Sequence, residues 1–144
     1  MTSSPPTAAA PESVECTTAP RGRLSIRTVA MPADTNMFGH IFGGWVLSQM
    51  DLAGGTHAYR RARGRCATVA IEGMEFHQPV YVGDELTCYT EILRVGTTSI
   101  AVRVECWVRR HEGDETQVRV TSAIFTYVAV DDHGTKRPVP PEAA

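Results

Sequence analysis

Five stretches of the chain alternate in the manner of β-strands. The clearest is 98–110, where Ile100, Val102 and Val104 alternate with polar or mixed residues such as Arg103. A period of two is typical of a strand with one buried face, so we expect this strand to be half-buried. The predicted strands are 24–30, 66–76, 84–95, 98–110 and 118–130.

One segment, 44–63, has the period of a helix. Its apolar residues Val46, Leu47, Met50 and Ala53 recur at spacings of three and four, which places them on one face. The order is therefore strand, helix, then four strands joined by short turns. Short turns imply antiparallel pairing, because parallel neighbours need long crossovers.

These elements predict an α+β fold, in which one long helix covers one face of a five-stranded antiparallel sheet. A single helix cannot cover both faces of such a sheet. Apolar surface would then remain uncovered, and this favours a homo-oligomer.

Length and charge narrow the class of protein. A chain of 144 residues suits one domain. The net charge of -2 argues against a nucleic-acid partner, and no apolar run is long enough to span a membrane.

Residues 1–22 are rich in Ala, Pro, Ser and Thr and lack the pattern of a signal peptide. We predict a disordered arm at 1–22, the domain at 23–131 and a tail at 132–144.

The cysteines are Cys16, Cys66, Cys88 and Cys106. Their spacing fits neither a zinc site nor a disulfide framework, so we expect no metal. Free thiols within apolar strands are typical of a reducing compartment, which predicts a cytoplasmic protein.

The helix carries unusual residues for its position. Gly43 and Gly44 place unpaired N–H groups at its positive end, which favours an anion or a developing oxyanion. Gly54 and Gly55 lie in its interior, where each costs roughly 1 kcal/mol relative to alanine. Close approach of another backbone or a ligand would compensate.

Asp51 lies two turns into the helix and shares the apolar stripe with Leu47 and Gly54. A carboxylate there needs a partner or a function. It is either solvated or paired with an arginine such as Arg60, or it is part of an active site.

Several short motifs follow one another along 24–140. They are PADTN at 32–36, IFGGW at 41–45, SQMD at 48–51, EGM at 72–74, VGD at 82–84, GTTS at 96–99 and VECWV at 104–108. In this combination the chain resembles the bacterial YciA-type acyl-CoA thioesterases, relatives of the brain-type cytosolic acyl-CoA hydrolases.

The resemblance implies a hot-dog fold, in dimers whose active sites lie between protomers and which commonly assemble as a trimer of dimers. It implies that Asp51 is catalytic, as general base or as nucleophile, with Asn36 from the facing protomer. The backbone N–H groups of Gly43 and Gly44 would then hold the thioester oxygen. No cofactor is expected, since coenzyme A is part of the substrate.

Two regions are candidates for binding coenzyme A. The resemblance implies a nucleotide-binding loop, for which the alternative is a plain polar β-turn: Arg94, Gly96, Thr97, Thr98 and Ser99. The helix end carries a basic cluster that either contacts phosphate or only complements the helix dipole: Arg60, Arg61, Arg63 and Arg65.

Four residues depart from the family pattern near the expected pocket, and we expect them to affect acyl preference rather than catalysis: His40, His57, His77 and Gln78.

Two other functions are compatible with the same residues. A hot-dog enoyl-CoA hydratase would use Asp34 and His40, but the spacing from Asn36 to His40 is one residue too long, and Met37 replaces the usual proline. A non-catalytic acyl-CoA sensor would need the 97–99 loop but neither Asp51 nor Asn36.

Overall fold

The structure is a computed structural model that describes residues 19–142. β1 (Arg23–Val29) leads through a short 3-10 helix (Pro32–Asp34) to α1 (Gly43–Ala62). The remaining elements are β2 (Cys66–Glu72), β3 (Glu85–Val95), β4 (Ser99–Arg109) and β5 (Gln117–Ala129). The predicted order of one strand, one helix and four strands is confirmed.

The five strands form one antiparallel sheet in the order β1–β3–β4–β5–β2. α1 lies across one face and contacts every strand. Its buried residues Met50, Ala53 and Ala58 join Val104 and Phe125 in a single apolar cluster. A long helix wrapped by an antiparallel sheet is the hot-dog arrangement that the resemblance implied.

Neither end of α1 carries a residue type that usually caps a helix. Phe42 precedes the helix without a capping side chain, and the first turn contains no acid. Arg63 closes the helix in the left-handed conformation, with φ of 53°. The observed bounds lie within one residue of the predicted 44–63.

β2 is shorter than the predicted 66–76. It ends at Glu72 because Gly73 turns the chain with φ of +73°, a region that favours glycine. β2 is an edge strand that pairs with β5 alone, and Val69 and Ile71 on it remain exposed. Part of the sheet surface is therefore uncovered, as predicted.

The strand predicted as half-buried, 98–110, is buried on both faces, and that expectation was wrong. Glu105 and Trp107 are buried together with the core face of β4. Arg21 donates from its backbone N and from Nε to the Glu105 carboxylate, at 3.1 and 2.7 Å, and Trp107 Nε1 donates to the same group. A contact 84 residues distant in sequence thus completes this face.

The predicted tail packs on the domain. Lys136 forms a bridge with Val130, and the Val139 N–H donates to the Thr97 carbonyl at 2.8 Å. Residues 1–18 of the predicted arm lie outside the described residues, so the boundary of the arm stays a prediction. Within 19–142 no helix is long and apolar enough to cross a membrane.

Candidate active site

Asp51 is held in place by two hydroxyl groups from different strands. Thr68 on β2 donates to Asp51 Oδ1 at 2.8 Å, and Tyr127 on β5 donates to the same oxygen at 3.1 Å. No group among residues 19–142 bonds to Oδ2, and no described cation pairs with the carboxylate, so the pairing with Arg60 considered above is absent. One oxygen is fixed and the other is available.

Tyr127 is a buried donor that stays protonated. Its ring is almost fully buried and stacks on Phe125, with centroids 6.2 Å apart. Burial raises the pKa of the Tyr127 hydroxyl, and the neighbouring Asp51 charge raises it further. A phenol in this state only donates to the carboxylate.

Gly54 explains how the tyrosine reaches the helix. A Cβ at this position would lie 2.5 Å from the Tyr127 oxygen and 3.0 Å from a Val104 methyl group, both too close. At Gly55 the corresponding distance to the Tyr127 ring is 3.6 Å, an ordinary contact. The predicted close approach at Gly54 is therefore a side chain of β5 rather than a ligand or a backbone.

The carboxylate faces a cavity of about 560 Å³ between α1 and the β2 edge. A volume of this size is typical of a small-molecule site. Its walls include Asp51, Thr56, Tyr59, Arg60, Thr68 and Tyr127.

The helix start lies apart from this cavity. No described group accepts a hydrogen bond from the Gly43 or Gly44 N–H, since the first turn is uncapped. Gly43 lines a second cavity of about 330 Å³ beside Phe76, His77 and Gln78. Eight residues of helix separate Gly43 from Asp51, which is about 12 Å along the axis. One chain therefore does not bring the amides and its own carboxylate to the same carbonyl.

Asn36 and Asp34 order the loop before α1. Asn36 Oδ1 accepts from the N–H groups of Phe38 and His40, at 2.9 and 3.1 Å. Asp34 Oδ2 accepts from the Met31 N–H at 2.9 Å. The Asn36 amide nitrogen has no described partner and is exposed, so it remains able to donate.

Comparison with known proteins identifies the family to which this chain belongs. The family model described as the thioesterase superfamily matches residues 38–115, which include α1 and Asp51. The chain belongs to the thioesterase superfamily.

Individual relatives cover most of the chain. It is 49% identical over 123 residues to the acyl-CoA thioester hydrolase YciA of Salmonella typhimurium, spanning 84% of this chain and 92% of the relative. A hexameric broad-specificity acyl-coenzyme A thioesterase superposes with a TM-score of 0.83 at 47% identity, over 86% of this chain and 85% of that one. The hexameric thioesterase y2039 of Yersinia pestis superposes with a TM-score of 0.81 at 47% identity, over 85% and 100%.

In this thioesterase the 94–99 loop is the β3–β4 hairpin. The Gly96 N–H donates to the Ser99 carbonyl at 2.7 Å, and the Thr98 carbonyl accepts from Ala129. Arg94 and Thr97 are exposed, and neither lines the Asp51 cavity. The contact between the 94–99 loop and coenzyme A stays a prediction.

The basic cluster divides into two parts. Arg61, Arg63 and Arg65 donate to main-chain carbonyls of the tail, at Pro140, Pro141 and Asp132 respectively. Arg60 has no ion-pair or hydrogen-bond partner within 19–142, and it lines the Asp51 cavity. Most of the cluster is therefore structural.

Thr68 and Tyr127 were not among the site residues predicted from the sequence. Two features of the sequence could have indicated Tyr127. A tyrosine within an apolar strand needs a partner for its hydroxyl, and a glycine inside a helix, such as Gly54, indicates that another group packs closely against that helix. No feature of the sequence indicated Thr68, since threonine is common in strands.

Proposed function

We propose that this chain hydrolyses acyl-CoA thioesters and that Asp51 is the residue that activates the attack. The chain belongs to a superfamily of thioesterases, and its relatives are acyl-CoA thioester hydrolases. The observation that carries the assignment of Asp51 is its geometry: Oδ1 is fixed by two donors, and Oδ2 is left without a described partner beside a cavity of ligand size.

The orientation of Asp51 suits either of two routes. As general base, Oδ2 takes a proton from water as the water attacks the thioester carbon. As nucleophile, Oδ2 attacks that carbon directly and gives an anhydride that water then hydrolyses. Both routes expel the coenzyme A thiolate, and in both Thr68 and Tyr127 prevent the carboxylate from rotating.

We infer that the oxyanion donors come from a second copy of the chain. Gly43 and Asp51 lie about 12 Å apart along one helix, too far to serve one carbonyl. A facing protomer would supply its Gly43 and Gly44 N–H groups, and the free amide of its Asn36, to the site that contains Asp51. Donors of this kind are typically worth about 10²–10³ in rate.

Exposed apolar surface supports such an assembly. Val69 and Ile71 on the edge strand are 57% and 40% exposed, and Phe76 in the following loop is 49% exposed. An edge strand with bare apolar residues is usually paired or covered. The solved relatives are hexameric, which supports a homo-oligomer built as a trimer of dimers.

We also infer a cytoplasmic location. Cys88 and Cys106 are opposite each other on β3 and β4, and both are free and buried. A hydrogen bond to the Cys88 side chain, together with burial, raises the pKa of the Cys106 thiol, so Cys106 stays protonated. Reduced thiols are typical of the cytoplasm. Cys16 lies outside the described residues.

Thiol release from a panel of acyl-CoAs tests the activity and the residues. We expect Asp51→Asn to lose about 10²–10⁴ in kcat and Asn36→Ala to lose less, whereas His40→Ala retains wild-type turnover. If instead His40→Ala abolishes activity and the wild type adds water to an enoyl-CoA, the chain is a hydratase. Binding of acyl-CoA without turnover in the wild type would identify a sensor.

Mixing two impaired variants tests the shared site. When Asp51→Asn and Asn36→Ala chains are expressed together, half of randomly formed dimers are mixed, and each mixed dimer has one intact site. We expect about a quarter of the wild-type activity to return. If both residues act within one protomer, no activity returns.

A further inference from the structure

A smaller pocket of about 280 Å³ adjoins the Asp51 cavity at the outer end of α1. It is lined by Arg23, Leu24, Ser25, Thr56 and Arg60, and it shares Thr56 and Arg60 with the larger cavity. The first residues of β1 and the last two turns of α1 therefore form a common wall beside the site.

This pocket has two positive charges without a described counter-ion. Neither guanidinium, of Arg23 or of Arg60, has an ion pair or hydrogen bond within 19–142. The other arginines near this end behave differently, since Arg21 binds Glu105, and Arg61 and Arg63 bind tail carbonyls. The helix dipole explains why a cation such as Arg60 lies near the end of α1. It does not explain the second cation, Arg23, which lies on β1. Two like charges in one pocket favour an anionic ligand.

A chain of hydrogen bonds fixes Ser25, the polar residue that β1 contributes to the pocket. The Thr90 hydroxyl, which is buried, contacts His57 Nδ1 at 2.9 Å and the Ser25 hydroxyl at 2.6 Å. Burial lowers the pKa of His57, and the nearby charges of Arg23 and Arg60 lower it further. The polar wall is thus ordered before any ligand arrives.

We propose that Arg23 and Arg60 bind a phosphoryl group, and that this group belongs to the coenzyme A part of the thioester whose carbonyl lies at Asp51. The proposal rests on the proposed function. Arg60 is nine residues from Asp51, about 14 Å along the helix. The pantetheine arm separates the thioester of an acyl-CoA from its phosphates, so a substrate lying along α1 places a phosphate between the two arginines. Guanidinium groups bind phosphate through paired, charge-assisted hydrogen bonds.

Kinetics with and without the phosphates test this subsite. An acyl-CoA and the matching acyl-pantetheine, which has no phosphate, are compared as substrates of the wild type and of the double variant Arg23→Gln/Arg60→Gln. We expect the ratio of kcat/KM for acyl-CoA to that for acyl-pantetheine to fall roughly tenfold or more in the double variant, through KM for acyl-CoA. Arg27→Gln is the matched control, because Arg27 lies on β1 outside the pocket and pairs with Glu85; it should keep the wild-type ratio.

Each other outcome has a distinct meaning. An unchanged ratio in the double variant overturns the subsite. If inorganic phosphate binds the wild type but not the double variant while the ratio stays unchanged, the pocket takes a free anion, and the assignment to substrate is wrong. If the wild type hydrolyses neither thioester, the proposed function fails. Calorimetric titration with coenzyme A then still decides the subsite, which requires weaker binding in the double variant.

Discussion

A substitution at Gly54 tests most directly how closely Tyr127 packs against α1. In Gly54→Ala the new methyl carbon would lie 2.5 Å from the Tyr127 oxygen. Tyr127 is buried against Phe125, so its side chain can give way only toward the Asp51 cavity that it lines. Ordinary contact begins at 3.4 Å, and the hydroxyl must therefore shift by about 1 Å.

The magnitude follows from two opposing terms. Replacing glycine by alanine within a helix stabilises by about 1 kcal/mol, whereas overpacking a buried site costs about 1–3 kcal/mol. We expect a net loss of about 0–2 kcal/mol in the free energy of unfolding. A shift of about 1 Å also takes the Tyr127 hydroxyl beyond hydrogen-bond range of Asp51, so kcat should fall about tenfold.

The neighbouring glycine provides the control. In Gly55→Ala the methyl carbon meets the Tyr127 ring at 3.6 Å, so only the helix term remains, and the variant should be about 1 kcal/mol more stable than the wild type. Urea denaturation measures stability, and thiol release measures turnover. In Gly54→Ala/Tyr127→Phe the shortest contact is absent, so part of the lost stability should return.

Equal stabilisation by Gly54→Ala and Gly55→Ala would refute the close packing of Tyr127 on the helix. A destabilised Gly54→Ala with wild-type kcat would show that the hydroxyl does not position Asp51.

Other predictions follow from the same contacts. Tyr127→Phe should lower kcat about tenfold with little change in KM, because it removes one charge-assisted bond to Asp51; an effect confined to KM would contradict positioning. Thr68→Val should act similarly in thiol-release assays. His57 has a lowered pKa, so the unfolded chain binds its proton first and stability falls as pH drops below 6.5. His57→Asn should show a smaller loss in denaturation curves measured over that range.

Local pattern was sufficient for most of the fold. The spacing of Val46, Met50 and Ala53 predicts α1 because a helix with one buried face must repeat in this way. Alternation and short turns predict antiparallel strands. The burial of Glu105 was not predictable, because it depends on Arg21, far away in sequence. The end of β2 at Gly73 was missed because its apolar pattern continues past the turn.

The site was predictable only in part, for a similar reason. The apolar stripe marked Asp51 as a carboxylate that needs a partner or a role, and the resemblance to the family implied that it is catalytic. Its partners come from β2 and β5, 17 and 76 residues away in sequence, and no local pattern records such a meeting. The outer part of the cavity, with Arg23 from β1 and Arg60 from α1, likewise exists only after folding.

The position of Thr68 on an edge strand connects the proposed role of Asp51 with the proposed assembly. Its hydroxyl steadies Asp51, yet β2 is held on one side only, by β5. A protomer that packs along the unpaired edge of β2 would also restrict the motion of the Thr68 hydroxyl. Without such a partner, β2 would be the first element to open. Specific activity should therefore decline on dilution before any helix unwinds, so that enzyme concentration itself acts as a control on turnover.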